Sequence, residues 1–286
     1  MRLRKLHAFF FLLLCVGVTL GQTRVEVITK TVEDQFPLRP GQSLKVEGSA
    51  ASISIQTWDR REVLVKLKLI SKGLERSIAA EELAYQQYVI DLNNDEHVIR
   101  NYMLLPKGLE KLSTIQETVI ELYVPRSLVL HLSNRFGTTV LKEVMGTVEI
   151  DNEYGELSLE SLNASLELKS TFGDVRLTDF QGSLMGTLQH SNAEIEGFSG
   201  DAVLKTKLGD VQWSAFEKVK SLRLNAEQSN VSFSGTPARG FYWNLKTKFG
   251  FIQFPGRDPG KKLTVGQEEL PTIEVTTDFG EITINE

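Results

Sequence analysis

A period of 18 residues runs through the second half of this chain and constrains its fold more than any other feature. With the glycine of Phe172-Gly173-Asp174-Val175 taken as column one, Gly137, Gly155, Gly173, Ser191 and Gly209 fall 18 apart. Ser229, Gly250 and Gly280 continue the series at longer intervals. A fixed period held over several steps marks stacked units that cannot bury their apolar faces alone. Column three carries Leu157, Val175, Ala193 and Val211, and column five carries Leu141, Leu159, Leu177, Ile195 and Trp213. Column eight carries Val144, Leu162, Phe180, Phe198 and Phe216, and columns twelve and fourteen bring pairs such as Val148 with Ile150 and Leu166 with Leu168. Apolar residues two apart, twice per period, predict two or three short strands per coil, each with one face buried. Column ten is small again (Gly146, Ala164, Gly182, Gly200). Small residues at both half-repeats suit tight corners. Tyr154, Phe172, Leu208, Phe249 and Phe279 precede column one and are expected to stack as large side chains closing one corner of the core.

These features predict an all-β chain, a single-stranded parallel β-helix or β-solenoid, whose coils pair at roughly 4.8 Å. One coil buries about five large side chains, grossly on the order of 10 kcal/mol. Ordering its residues at about 1–2 kcal/mol each costs as much or more. Only stacking makes such a fold viable. A hexapeptide solenoid would place an apolar residue every sixth position, which the columns do not do. A calcium-binding β-roll needs a G-G-x-G-x-D run, which is absent, so no structural calcium is expected.

The frame also appears early. In ASISIQTW, Ala51, Ile53, Ile55 and Trp58 occupy columns one, three, five and eight, and Leu44 and Val46 belong to the preceding strand. The solenoid is therefore expected over 43–286, after an N-terminal lead-in over 22–42. A segment over about 70–118 interrupts it with a short helix around Ile78–Gln87 and a hairpin turning at Asn93-Asn94-Asp95. Residues 255–271, dense in Pro, Gly and charge, read as an inserted exposed loop.

Residues 1–21 read as a signal peptide: a cationic MRLRKLH followed by an apolar stretch too short to span a bilayer comfortably. Cleavage after Gly21 would leave Gln22 first and no transmembrane segment. It would also remove Cys15, the one cysteine, and with it any intramolecular disulfide or cysteine-ligated metal site. Arg2, Arg4 and Lys5 carry the only charges before residue 22, so the rest holds 29 Lys and Arg against 37 Asp and Glu, a net of −8. That acidity argues against a nucleic-acid partner.

Little in the sequence points to chemistry. His97, His131 and His190 are far apart and form no ligand pair, and there is no nucleophile elbow, P-loop or dinucleotide fingerprint. No catalytic residue, metal ligand or cofactor is therefore assigned. Column two gathers Glu156, Asp174, Asn192 and Asp210 on one face, read as a solvated face that resists aggregation. Arg176 and Glu194 in column four are expected to pair across coils. The irregular features collect near the C-terminus. Tyr242 and Phe251 are outward aromatics, beside Arg257, Lys261 and Lys262 of the inserted loop. Together these five form the candidate partner-binding surface, suited to an anionic glycan or acidic partner.

The segments KTVEDQFPL, SISIQTWDRREVLVKLKL and IELYVPRSLVLHLSNRFGTTVL, followed by the Gly-x-Val-x-Leu coils, resemble the bacterial putative-adhesin family, a domain of unknown function similar to the head domain of autotransporter adhesins. The resemblance runs from about Lys30 to the end. It implies an exported β-solenoid with an adhesive or envelope role, in the periplasm, on the cell surface or secreted. It brings no catalytic residues. The expected function is a non-enzymatic interaction or scaffold protein whose partner is a surface glycan or an envelope protein. A polysaccharide-binding or polysaccharide-cleaving β-helix and a periplasmic sensing component remain as alternatives.

Overall fold

The computed structural model describes residues 24–235 and 238–285. The expected signal peptide, Cys15 and the cleavage site lie outside the described residues. Each 18-residue coil folds as a short strand and a long strand. Val175–Thr178 and Gln181–Gln189 are one such pair, and Ala193–Glu196 and Ser199–Lys207 are the next. The short strands stack in parallel in one 12-stranded sheet and the long strands in a second. The two sheets enclose one core. The chain is thus a β-solenoid, and the repeat columns are its registers. Leu159 lies opposite Leu177, Leu177 opposite Ile195, and Ile195 opposite Trp213. Leu166, Leu184 and Ala202 align in the same way on the second sheet. Columns three, five, eight and twelve are buried where they hold an apolar residue, except at half-buried Trp58 and Phe254, and Phe180, Phe198 and Phe216 of column eight are fully enclosed.

At the column-ten corner Gly146, Gly182 and Gly200 take φ between 115° and 136°, as glycines at tight corners can. At the other corner Gly137, Gly155, Gly173 and Gly209 do not need a left-handed backbone; they need the absence of a side chain. A Cβ on Gly155 would lie 1.9 Å from the carbonyl oxygen of Gly137, and one on Gly173 would lie 2.0 Å from that of Gly155. The left-handed conformation falls on the residue before, at Phe136, Tyr154, Phe172, His190 and Leu208, with φ between 51° and 60°. Each donates its amide N–H to a carbonyl of the neighbouring coil, as Tyr154 does to Thr171.

Column sixteen locks this corner from inside. Asn152, Ser170 and Thr206 each donate a side-chain hydrogen bond to the column-one glycine carbonyl three residues on. Where column sixteen is apolar, at Leu188 and Ala226, column one is serine instead of glycine. Ser191 and Ser229 then bond the backbone themselves, donating to Gln189 and Glu227 and accepting from the amides of Gly173 and Gly209. The polar group moves from one column to the other, and each described corner from Gly155 to Ser229 keeps its hydrogen bond.

Both ends depart from serial stacking. At the N-terminal end, Ser43–Ser49 lies between Glu96–Met103 and Ser127–Arg135, and Ala51–Trp58 lies between Ile115–Pro125 and Thr139–Lys142. The interrupting segment over 70–118 carries the short helix and also contributes strands that stack outside the first coil. Glu62–Gly73 then adds antiparallel to Ile115–Pro125, and Glu26–Pro37 adds antiparallel to Glu62–Gly73. The lead-in over 22–42 thus carries the edge strand of the first sheet. Antiparallel pairs need no 18-residue spacing, which is why the period fails here. The helix spans Arg76–Leu83, and the hairpin of Gln86–Leu92 with Glu96–Met103 turns at Asn93–Asp95 as expected. Glu82 ties the helix down, accepting the amide N–H groups of Ser113 and Thr114 and the Thr114 hydroxyl.

At the C-terminal end the last coil in sequence is not last in space. Thr272–Thr277 lies between Lys218–Glu227 and Tyr242–Thr247, and Ile282–Ile284 lies between Val231–Ser234 and Ile252–Gln253. The inserted loop over 255–271 is itself partly a strand. Lys262–Val265 caps the second sheet by pairing antiparallel to Tyr242–Thr247.

Candidate interaction surface

The left-handed corner aims its side chains outward. Continued alternation along the long strand, through columns twelve, fourteen and sixteen, would turn column eighteen inward. The left-handed residue breaks that alternation. The expectation that these rings close the core is corrected accordingly: Phe136, Tyr154, Phe172, Phe249 and Phe279 are 43–57% exposed. Phe136, the first of them, was legible only as a member of this column.

These side chains form a ridge parallel to the solenoid axis. Phe136 stacks on Tyr154 at 4.9 Å between ring centroids, Tyr154 on Phe172 at 5.0 Å, and Phe172 on His190 at 4.5 Å, with interplanar angles of 1–12°. Leu208 and Gln228 continue the column without rings, and Phe279 and Phe249 close it with a stack at 4.5 Å. The Arg135 guanidinium lies 5.3 Å from the Phe136 centroid, and Lys248 Nζ lies 5.2 Å from that of Phe249. Tyr154 and Phe172 each have a ring on both faces, so they present only ring edges. The ridge is therefore no platform for stacking a sugar ring face-on. It is an apolar rail with a rung every 4.5–5.0 Å among Phe136, Tyr154, Phe172 and His190.

Two columns further on, the short-strand sheet carries a shallow groove of about 400 Å³ lined by Thr138, Glu156, Asp174, Arg176, Asn192 and Glu194 among others. Column two does gather the predicted acidic residues here, but not as a plain row of like charges. Asp174 accepts the backbone and side-chain amides of Asn192, Asn192 accepts the Asp210 amide, and Asp210 accepts both amides of Asn230. Each side chain fixes the next coil. The Arg176–Glu194 pair forms as expected at 2.6 Å, between exposed side chains. Such a pair contributes less than about 1 kcal/mol.

The sequence-derived candidates are only partly gathered. Tyr242 is half-buried at the start of Tyr242–Thr247, whereas Phe251 lies past that strand's end. Five residue steps, about 16 Å, separate the strand's two ends. Phe251 and Lys261 do meet the ridge: Phe251 follows Phe249 into column two, and Lys261 Nζ donates to the Lys248 carbonyl beside it. Arg257 sits in the turn after Phe254, and Lys262 opens the capping strand. His97 is buried against Phe36 with Nε2 3.0 Å from the Pro37 carbonyl, and His131 lies beside Glu96. Among the described residues no group of three or more His, Cys, Asp or Glu is placed to hold a metal.

A family model described as Toastrack DUF4097 matches residues 42–285. No curated protein matches the chain. Among solved structures, a "putative lipid binding protein" of Parabacteroides distasonis is 13% identical, covers 90% of this chain and 96% of its own, and superposes with a TM-score of 0.51. A "putative adhesin" of Bacteroides fragilis is 12% identical with the same coverages and a TM-score of 0.46. The first likeness is one of fold.

Proposed function

The chain belongs to the Toastrack DUF4097 family, and from that premise we propose that it is an exported, non-catalytic, adhesin-like interaction protein of the bacterial envelope or exterior. Its contact surface is the ridge of Phe136, Tyr154, Phe172 and His190 with the adjoining groove of Glu156, Asp174 and Asn192. The observation that carries this reading is the exposure of four stacked rings, Phe136 to His190, in one unbroken column along the solenoid axis. Contiguous exposed apolar surface on a soluble fold marks a site of contact. The rail and the groove run along the same axis, which suits an extended partner lying lengthwise: apolar contact on the rail, and hydrogen bonds to hydroxyl or amide groups in the groove. Export rests on the cationic-then-apolar N-terminus. No helix among the described residues is long and apolar enough to cross a membrane.

The test displays residues 22–286 on beads, offered to a printed panel of surface glycans and to bacterial cells. Tyr154→Ser/Phe172→Ser is compared with Arg223→Ala, on the outer face of the long-strand sheet, each confirmed folded. Retention of one surface class by wild type and Arg223→Ala, with at least ten-fold weaker retention of the ridge variant, supports the reading. Equal retention of all three places the contact elsewhere. Cleavage of a panel glycan would establish the polysaccharide-cleaving alternative instead.

A further inference from the structure

The corner opposite the ridge holds a cleft of about 480 Å³ with a different character. Four separated segments build it: the Leu38–Gln42 turn, the turn at Arg61, the Pro125–Val129 connection, and Gly146 with Thr147. Hydrogen bonds fix the two turns. Gln42 donates its amide to the Arg39 carbonyl and accepts the Arg39 amide on its side chain, while Leu38 donates to the Arg61 carbonyl. The floor is apolar, with Leu38 and Leu128 both buried. Gly146 packs so closely that a Cβ there would lie 2.4 Å from the Leu128 carbonyl oxygen.

The polar lining is one-sided. No carboxylate lines the cleft, in a chain with 37 acidic residues. The guanidinium groups of Arg39 and Arg61 have no hydrogen-bond or ion-pair partner among the described residues, and neither do the hydroxyls of Ser127 and Thr147. Two of the nearby acids are engaged elsewhere: Asp59 pairs with Arg126 at 2.8 Å, and Glu62 accepts from the Gln35 side chain. Two uncompensated guanidiniums and two hydroxyls around an apolar floor form the donor set that binds an oxyanion carried on a less polar body, since guanidinium groups match phosphate and carboxylate geometry two bonds at a time.

We propose that this cleft is an anion-binding site for a phosphate- or carboxylate-bearing ligand, held by Arg39 and Arg61 with Ser127 and Thr147. The site is separate from the ridge, so each stands or falls alone. All four polar residues are exposed, so the attraction is solvent-screened and weakened by salt.

The side-chain Nε–Hε NMR signals of Arg39, Arg61 and Arg239 in residues 22–286 are followed during titration with inorganic phosphate at low ionic strength. Arg239 is exposed, has no side-chain partner among the described residues and reports non-specific association. Saturable shifts at Arg39 and Arg61 with one shared Kd, and at most a linear drift at Arg239, are expected. Arg39→Gln/Arg61→Gln, with an unchanged melting temperature, raises that Kd at least ten-fold as read on backbone amides of the cleft. Sedimentation with phosphatidylglycerol vesicles, against phosphatidylcholine alone, separates the sources. Retention lost in the double variant assigns a lipid headgroup, and saturable phosphate binding without retention assigns a soluble oxyanion. Shifts that are absent, or equal and unsaturable at all three arginines, overturn the site.

Discussion

Tyr154 holds φ at 55°, a conformation that costs an L-residue about 1–2 kcal/mol. Stacking on Phe136 and Phe172 contributes about 0.5–1.5 kcal/mol per pair and offsets that strain. The ridge thus stabilises its own corner as well as offering a surface. The glycine beside it has no such latitude. Gly155→Ala would drive a Cβ into the Gly137 carbonyl, and the stack could yield only by separating two coils. It is expected to cost several kcal/mol, read as a lower urea midpoint. Glu82 is sensitive in another way. Burial pushes its carboxyl up, but the amides of Ser113 and Thr114 and the Thr114 hydroxyl outweigh burial and hold it below its ordinary range. A lowered folded value adds stability that is present above the ordinary carboxylate range and is lost as pH falls through the folded value. Glu82→Gln should therefore melt below wild type at about pH 7, and the gap should close toward about pH 3, beneath the ordinary glutamate range. A pH-independent gap would mean that the carboxylate charge is not what anchors the helix. At this scale the sequence was least transparent. It showed that column eighteen is large and column one small, but the backbone conformation that turns those rings outward leaves no compositional trace.

At the scale of the strand the columns read directly. Periods of two within a period of 18 fixed which residues face the core, and Leu177 lies opposite Leu159 and Ile195 with 1% exposure. Leu177→Asp would bury a carboxylate without a partner and should lower stability by several kcal/mol. Arg176→Asp, one residue away and outward, loses only an exposed ion pair and should change it by less than about 1 kcal/mol. Comparable melting temperatures for the two variants would refute the inward–outward assignment. The covariation of columns sixteen and one was also present in the sequence, with polar-then-Gly at Ser170 and Gly173 and apolar-then-Ser at Leu188 and Ser191. It becomes legible only once the two columns are known to face each other across a corner.

Across the whole molecule, stacking order is what periodicity could not supply. The coils ending in Gly250 and Gly280 carry the same columns, so nothing in their pattern says which stacks on Ser229. In the fold, Gly280 packs on Ser229, and Gly250 packs on Gly280. The chain end is therefore an internal layer. Deleting residues 272–286 should open two sheet edges and strand the Tyr242–Gln253 coil, giving an aggregating or protease-sensitive product. Serial stacking would make the same deletion a mild loss of one end coil, so a soluble product melting near wild type would contradict this order. The same layering positions the functional surface, because the rungs of the ridge come from successive coils and exist only when the coils are in register. Hydroxyl-radical footprinting of the protein, free and bound to the surface that retains it, tests that placement directly. Phe136, Tyr154 and Phe172 should be oxidised in the free protein and protected on binding, while Met185, exposed on the long-strand sheet, should be oxidised in both states. Protection of Met185 with continued oxidation of the three rings would contradict that placement.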